Sequence, residues 1–286
     1  MDRSVSLGDV LCARLFMPLN RRKKSKMKKT FFALAAFFAA TCVVSGAPFT
    51  IVSYNIHHGG TLEGTLDVAR AGRVVAAQKP RFAGIQEVDM KTKRVNGLDS
   101  CAELAKATGM HATFAKGIDY QGGEYGVAFL SREKPLSVRR IPLPGKEPRV
   151  LLLCEFEDCW AGTMHLDLAK ECRIKSIDII EKVVKELSAQ KAVFLMGDWN
   201  ANPASTELGM IRKFMQVVSC EDVATFHGTK LSEAERVNAN HCIDFIAVDS
   251  AHAARYKASD ARVVEDRKTS DHAPIRVTVE RIKSCE

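Results

Sequence analysis

Eight polar side chains stand at the edges of apolar runs in this 286-residue chain, or inside one. Asn55 closes the first run, in SYNIHHG, and Glu87 the second, in GIQEVD. His165 ends a third, in GTMHLD. Asp198 and Asn200 follow LMG, Asp244 lies within CIDFIAV, and Asp271 with His272 stand in SDHAP. Each taken singly has a plain structural explanation as a turn former, a solvated carboxylate or a helix cap. Asp244 is the hardest to explain that way, because a lone charge in an apolar strand is costly unless paired, and His272 is an available partner. Together the eight suit phosphoryl transfer to water. Hard oxygen ligands such as Glu87 and Asp271 suit Mg²⁺ or Mn²⁺ better than zinc. Such a cation screens phosphate charge and stabilises a leaving oxygen. A carboxylate such as Asp198 can orient and deprotonate the attacking water. Asparagines and a protonated histidine can stabilise the charge that builds on the equatorial oxygens. There is no Gly-x-Ser-x-Gly elbow and no P-loop, so the signals of a covalent serine hydrolase or an NTPase are missing.

The elements that must position these residues alternate short β-rich runs with amphipathic windows. Strands are expected over 49–56 and 82–88, with helices over 66–78, ending before Pro80, and over 101–108. A series of strands follows at 111–116, 125–131, 136–141, 150–156 and 160–166. The longest helix is expected over 169–189, with Ile174, Ile177, Val184 and Leu187 on one stripe. The continuous apolar run 192–197 reads as a strand buried on both faces. A helix over 205–214 and strands over 242–248, 261–264 and 275–279 complete the chain. Many strands with few helices suggest two packed sheets with helices outside. Polar groups at the carboxyl ends of such strands are where sites assemble.

The formal charge of +8 looks like a pointer to nucleic acid until it is located. Residues 1–47 hold nine basic and two acidic side chains, whereas the rest hold 33 and 32. Composition therefore gives no support for a domain that grips DNA through phosphates. Within the basic segment, residues 27–47 read MKKTFFALAAFFAATCVVSGA: two lysines, an apolar run and small residues, the order of a secretory signal. The apolar run is shorter than the roughly 20 residues of a spanning helix. The expected organisation is an N-terminal extension and signal over 1–47, with the signal proper at 27–47, followed by one domain over 48–286. The product is an exported, periplasmic or extracellular protein; lipid anchoring at Cys42 is disfavoured by the preceding Ala40-Thr41. Seven cysteines lie beyond residue 47, an odd number without zinc spacing, and read as scattered buried thiols with one or two bridges at most.

The segments SYNIHHG, QEVD, EYGVAFLSR, GTMHLD, GDWNANP, CIDFIAV and SDHAPI, in that order between residues 49 and 279, resemble the endonuclease/exonuclease/phosphatase superfamily with its deoxyribonuclease I-like fold. The resemblance implies a four-layer α/β sandwich, two packed mixed β-sheets flanked by helices, and a divalent-metal-dependent phosphoester hydrolase. It implies Asn55, Glu87 and Asp271 as metal-site residues and His165 as the phosphate-binding, transition-state histidine. Asp198 with Asn200 positions water and phosphate, and Asp244 with His272 forms the carboxylate–histidine pair. Glu124 or Tyr125 falls where members support the first histidine or touch phosphate. Two departures stand out: Val127 where many members have asparagine, and Leu168 where many have a second histidine. One phosphate contact is then missing or supplied elsewhere. VDMKTKRVNGLD resembles a loop of small exported bacterial members, in which Arg94 is either a substrate-phosphate contact or an exposed loop arginine. Arg173, on the longest expected helix, leaves the same two alternatives. The superfamily spans nucleases, sphingomyelinases and inositol-phosphate phosphatases, so fold does not settle substrate. The near-neutral domain favours a phosphodiesterase or phosphatase over a secreted nuclease acting on DNA or RNA; a monomer is expected. A non-catalytic binding module would lack a metal carboxylate or a histidine, and neither is lacking.

Overall fold

The computed structural model describes residues 46–228 and 239–282. The expected signal, apart from its last two residues, lies outside the described residues, as do Cys42 and Cys285. Among the described residues twelve strands form two six-stranded sheets. The first sheet, in the order β11-β12-β1-β2-β4-β3, contains β1 (Phe49–Asn55), β2 (Phe82–Met90), β3 (His111–Tyr120), β4 (Gly123–Ser131), β11 (Tyr256–Val263) and β12 (Ile275–Arg281). The second, in the order β5-β6-β7-β8-β10-β9, contains β5 (Ser137–Leu143), β6 (Arg149–Glu155), β7 (Cys159–His165), β8 (Ala192–Asp198), β9 (Met215–Val217) and β10 (Asp244–Asp249).

Each sheet holds one parallel pair at its centre, β1–β2 and β7–β8, and each pair is linked through a helix as a parallel connection requires. Helix α1 (Val68–Ala77) joins the first pair and α3 (Lys170–Ser188) the second. Asp67 caps α1, its carboxylate accepting from the Arg70 amide at 2.8 Å, and Asp99 caps α2 (Ser100–Thr108) in the same way. Ser205 caps α4 (Thr206–Ile211).

Three apolar clusters make four layers. Val52, Tyr54, Val75, Ile85 and Leu104 lie between α1, α2 and the first sheet. Phe82, Phe129, Leu152, Phe194, Met196 and Ile275 fill the space between the sheets. Ile177, Ile180, Val184, Leu195 and Leu208 close the second sheet against α3 and α4. The molecule is thus the α/β sandwich that the sequence implied, two mixed sheets flanked by helices. Among the described residues no helix is long and apolar enough to cross a membrane. The six described cysteines are all free thiols, so the bridges allowed for above are not formed among them.

Candidate active site

The two parallel pairs end at the same cleft. Asn55 ends β1, His165 ends β7 and Asp198 ends β8. Glu87 lies in β2 at a register shift between Ile85 and Val88 against β4, with a φ of 58°. A bulge of this kind re-aims a side chain out of the pleat. Asn200, immediately beyond β8, has a φ of 48°, another strained backbone at the cleft. Antiparallel pairing of β10 with β8 sets Asp244 directly opposite Asp198. The β7–β8 backbones approach so closely that a Cβ on Gly197 would lie 2.1 Å from the Met164 carbonyl oxygen.

One oxygen of Asp198 is the centre of the cluster. Its Oδ2 accepts from Asn55 Nδ2 at 3.1 Å, and His165 Nε2 and His272 Nε2 stand 3.4 and 3.7 Å away. Its Oδ1 accepts from the Asn200 amide at 2.9 Å, and Asn200 Nδ2 donates to the Leu166 carbonyl. Asn55 Nδ2 also donates to Glu87 Oε1 at 3.0 Å, so one amide bridges the two sheets' carboxylates. Asp244 Oδ2 and His272 Nδ1 are 2.8 Å apart, and the Phe226 ring packs 5.0 Å from the imidazole. Asp244 Oδ1 is buried without a hydrogen-bond partner. Ser270 Oγ donates to the Asn55 carbonyl and accepts from the His272 amide, tying the SDHAP segment to β1.

Burial and charge drive these groups apart. Burial, with the Asp244 carboxylate next, raises the Asp198 carboxyl from 3.8 to about 7. Burial alone would lower His272, but the Asp244 charge and hydrogen bond outweigh it and raise the imidazole from 6.5 to about 10. His165 goes the other way: burial, then Arg149, then His272 hold it well below the ordinary histidine value.

An open cleft of about 320 Å³ is lined by Glu87, Asp198, Asn200, Asp271, His165 and His272, with Tyr125, Glu147 and Arg149 on one side. Leu168, Phe226 and Ile243 give it an apolar edge. The structure therefore brings together Asn55, Glu87, His165, Asp198, Asn200, Asp244, Asp271, His272 and Tyr125. It does not bring in the other three. Glu124 is half exposed and pairs with Lys116 at 3.5 Å. Arg173 is committed to the buried Glu207 at 2.6 Å and to the Asp167 and Leu168 carbonyls, tying α3 to α4. Arg94 makes a two-pronged ion pair with the buried Asp89 at 2.7 and 2.8 Å, and its guanidinium stacks on the rings of Tyr120 and Tyr125. Leu168, where a histidine was missed, is 77% exposed at the cleft.

Sequence reasoning missed Arg149. Its Nη1 lies 3.2 Å from His165 Nδ1 and 3.0 Å from Glu147 Oε1, and its side chain is only 9% exposed. It opens β6 rather than closing a strand. The available signal was an arginine at the point where the charged GKEPR stretch gives way to VLLLC.

The sequence model of the Endonuclease/Exonuclease/phosphatase family matches residues 52–272. No curated protein matches the chain. Among solved structures, an endonuclease/exonuclease/phosphatase from Beutenbergia cavernae is similar with a TM-score of 0.65 at 18% identity, over 82% of this chain and 72% of that one. One from Bacteroides vulgatus gives 0.64 at 17%, over 83% and 100%. The mannosyl-6-phosphatase Bt3783 of Bacteroides thetaiotaomicron gives 0.58 at 17%, over 81% and 99%. At these identities the structures speak for the fold alone, whereas the sequence match spans most of the strands and every segment of the cleft: the chain belongs to the endonuclease/exonuclease/phosphatase family.

Proposed function

We propose that the chain is an exported phosphoester hydrolase, a phosphodiesterase or phosphatase, that directs water at phosphorus with the help of a divalent cation. The observation that carries this is the convergence of Asn55, His165 and His272 on one oxygen of Asp198 beside Glu87. Export rests on the secretory pattern of residues 27–47.

The donor set fits a hard cation. Glu87 offers a carboxylate of which Asn55 engages only Oε1, and Asp271 shares the cleft. Oxygen ligands of this kind suit Mg²⁺ or Mn²⁺. Asp198, Asp244 and His272 also place ligand atoms within 4.8 Å of one another. That trio is the poorer choice, because His272 Nδ1 is already engaged by Asp244 and all three are buried. When bound at Glu87, Asn55 and Asp271, the cation supplies charge to screen phosphate and stabilise the leaving oxygen.

The chain's own residues do the rest. Asp198 orients the attacking water and accepts its proton. Asn55 and the Asn200 backbone hold that carboxylate in place. Asn200, His165 and His272 present donors where charge grows on the phosphoryl oxygens. Asp244 fixes the orientation of His272.

The test is turnover of bis(p-nitrophenyl) phosphate and p-nitrophenyl phosphate with Mg²⁺ or Mn²⁺. Hydrolysis lost with EDTA, and lowered about 100-fold or more in His165→Ala and Asp198→Ala, is expected. Full activity in either variant would overturn the assignment. DNA, RNA, sphingomyelin and inositol or sugar phosphates run side by side then divide the phosphatase and phosphodiesterase readings from the nuclease one.

A further inference from the structure

We propose that Arg149 is a positioning residue that locks His165 as an uncharged imidazole carrying its proton on Nε2, so that His165 meets the phosphoryl group as a neutral hydrogen-bond donor. A guanidinium has five N–H donors and no acceptor, and stays protonated in proteins. With Arg149 Nη1 3.2 Å from His165 Nδ1, the ring nitrogen must accept. A neutral imidazole that accepts at Nδ1 carries its hydrogen on Nε2. That nitrogen faces Asp198 Oδ2 at 3.4 Å, inside the cleft. His272 is held the opposite way, with a carboxylate at its Nδ1, so that nitrogen donates. One site thus holds two histidines in complementary forms, one with a cation behind it and one with an anion. The protonated histidine that the residue types allowed is then His272, and His165 is the neutral one.

Arg149 has little freedom to do otherwise. Glu147 Oε1 holds it at 3.0 Å, and Tyr125 lines the cleft beside it. The Tyr125 ring lies 5.2 Å from the Arg94 guanidinium, which Asp89 anchors from the interior. Arg94 thereby acts through Tyr125 as a prop rather than through phosphate. The charged and titratable groups around His165 include Arg149 from β6, Tyr125 from β4, Asp198 from β8 and His272 from the segment before β12. Arg149 and His272 oppose a second positive charge, against the Asp198 oxygen 3.4 Å from Nε2. Burial in the same direction holds the His165 pKa down.

The role in catalysis rests on the hydrolase reading; the tautomer does not. ¹⁵N NMR of the histidine rings in the full chain, with the His165 signals assigned by their loss in His165→Gln, reads the tautomer directly. The expected result is an unprotonated Nδ1 and a protonated Nε2 at His165 from about pH 5.5 to 8. In Arg149→Met the ring becomes an imidazolium or a mixture of tautomers, and kcat falls about 100-fold with KM within about twofold. Arg149→Lys keeps a donor-only cation, and restores the tautomer and part of the rate. A proton on Nδ1 in the wild-type protein overturns the proposal, as does an unchanged ring spectrum in folded Arg149→Met. If Arg149→Met does not fold, the wild-type and Arg149→Lys spectra decide. A chain with the expected tautomer and no turnover sinks the hydrolase reading and leaves this one standing.

Discussion

His165 and His272 aim their Nε2 atoms at the same oxygen of Asp198, yet their other nitrogens meet an arginine and an aspartate. That difference is also a statement about stability. His165 is depressed in the fold, so as pH drops below 6.5 the unfolded chain takes up a proton that the native imidazole refuses. The His165 contribution to stability then falls with pH, by about 1.4 kcal/mol per unit for one such site, while Asp198, raised to about 7, takes up a proton in the fold over the same range and works the other way. His272 is raised to about 10, so its contribution is complete below 6.5 and is lost only as pH climbs toward that value. Urea unfolding between about pH 7.5 and 5.5 should show wild-type stability falling relative to His165→Gln, whatever the common slope set by Asp198; parallel curves would mean that His165 titrates normally. Breaking the other pair is the harsher change. Asp244→Ala leaves the buried His272 without its carboxylate and should destabilise the fold by about 3–5 kcal/mol in the same measurement. Of these partners, Asp244 and His272 were legible in the sequence, because a charge inside CIDFIAV demands one. Arg149 was not. The strand-end rule looks at carboxyl ends, and β6 runs antiparallel to β7, with Leu151 opposite Met164, so its amino end arrives at the site instead.

At the scale of elements, the geometry of the cleft is the spacing and register of two parallel pairs. Asn55 and Glu87 come from one sheet, His165 and Asp198 from the other, and β2 packs on β7 and β8 beneath them. Gln86 links the layers, donating to Thr163 Oγ1 at 2.8 Å and to Ser53 Oγ. Gly84 sets the separation. A Cβ there would stand 2.5 Å from Met196 Cγ and 2.6 Å from Thr163 Oγ1. Gly84→Ala must push the sheets apart just below the site, at about 1–3 kcal/mol for an overpacked core. A displacement of even part of an ångström there also lowers turnover. A lowered melting temperature together with lowered kcat is expected; loss of stability with unchanged kcat would mean that the cleft does not depend on this spacing. The caps Asp67 and Ser205 fell inside the expected spans 66–78 and 205–214, whose helices begin at Val68 and Thr206, but helix placement was readable from periodic apolar stripes and the stop at Pro80. The strand Met215–Val217 was not, since three residues carry no period, and β11 begins at Tyr256, earlier than the expected 261, because its residues are mostly exposed. Strand order and the bulge that turns Glu87 depend on pairings distant in sequence, which no local pattern records.

For the whole molecule the deciding quantity is where charge sits. Residues 48–286 are almost balanced, at 33 basic to 32 acidic side chains, and the cleft itself is lined by Glu87, Glu147, Asp198 and Asp271 against Arg149 and the histidines. Arg94 and Arg173, the two arginines that a phosphate-gripping surface would have used, are spent on Asp89 and Glu207. A protein that neutralises six to ten backbone phosphates loses roughly 10³- to 10⁵-fold in affinity between about 50 and 200 mM salt. Among the described residues the cleft has no such set of counter-charges, and the apolar edge of Leu168, Phe226 and Ile243 suits a compact leaving group better than a polyanion. Hydrolysis of a small phosphoester should therefore change by no more than about twofold over that salt range, and should exceed cleavage of duplex DNA at equal phosphate concentration. The steady-state kcat/KM on both substrates at the two salt levels is the measurement. A rate that is higher on DNA and collapses with salt would place the binding energy in phosphate contacts outside the cleft, and would turn the substrate assignment from small phosphoesters to nucleic acid.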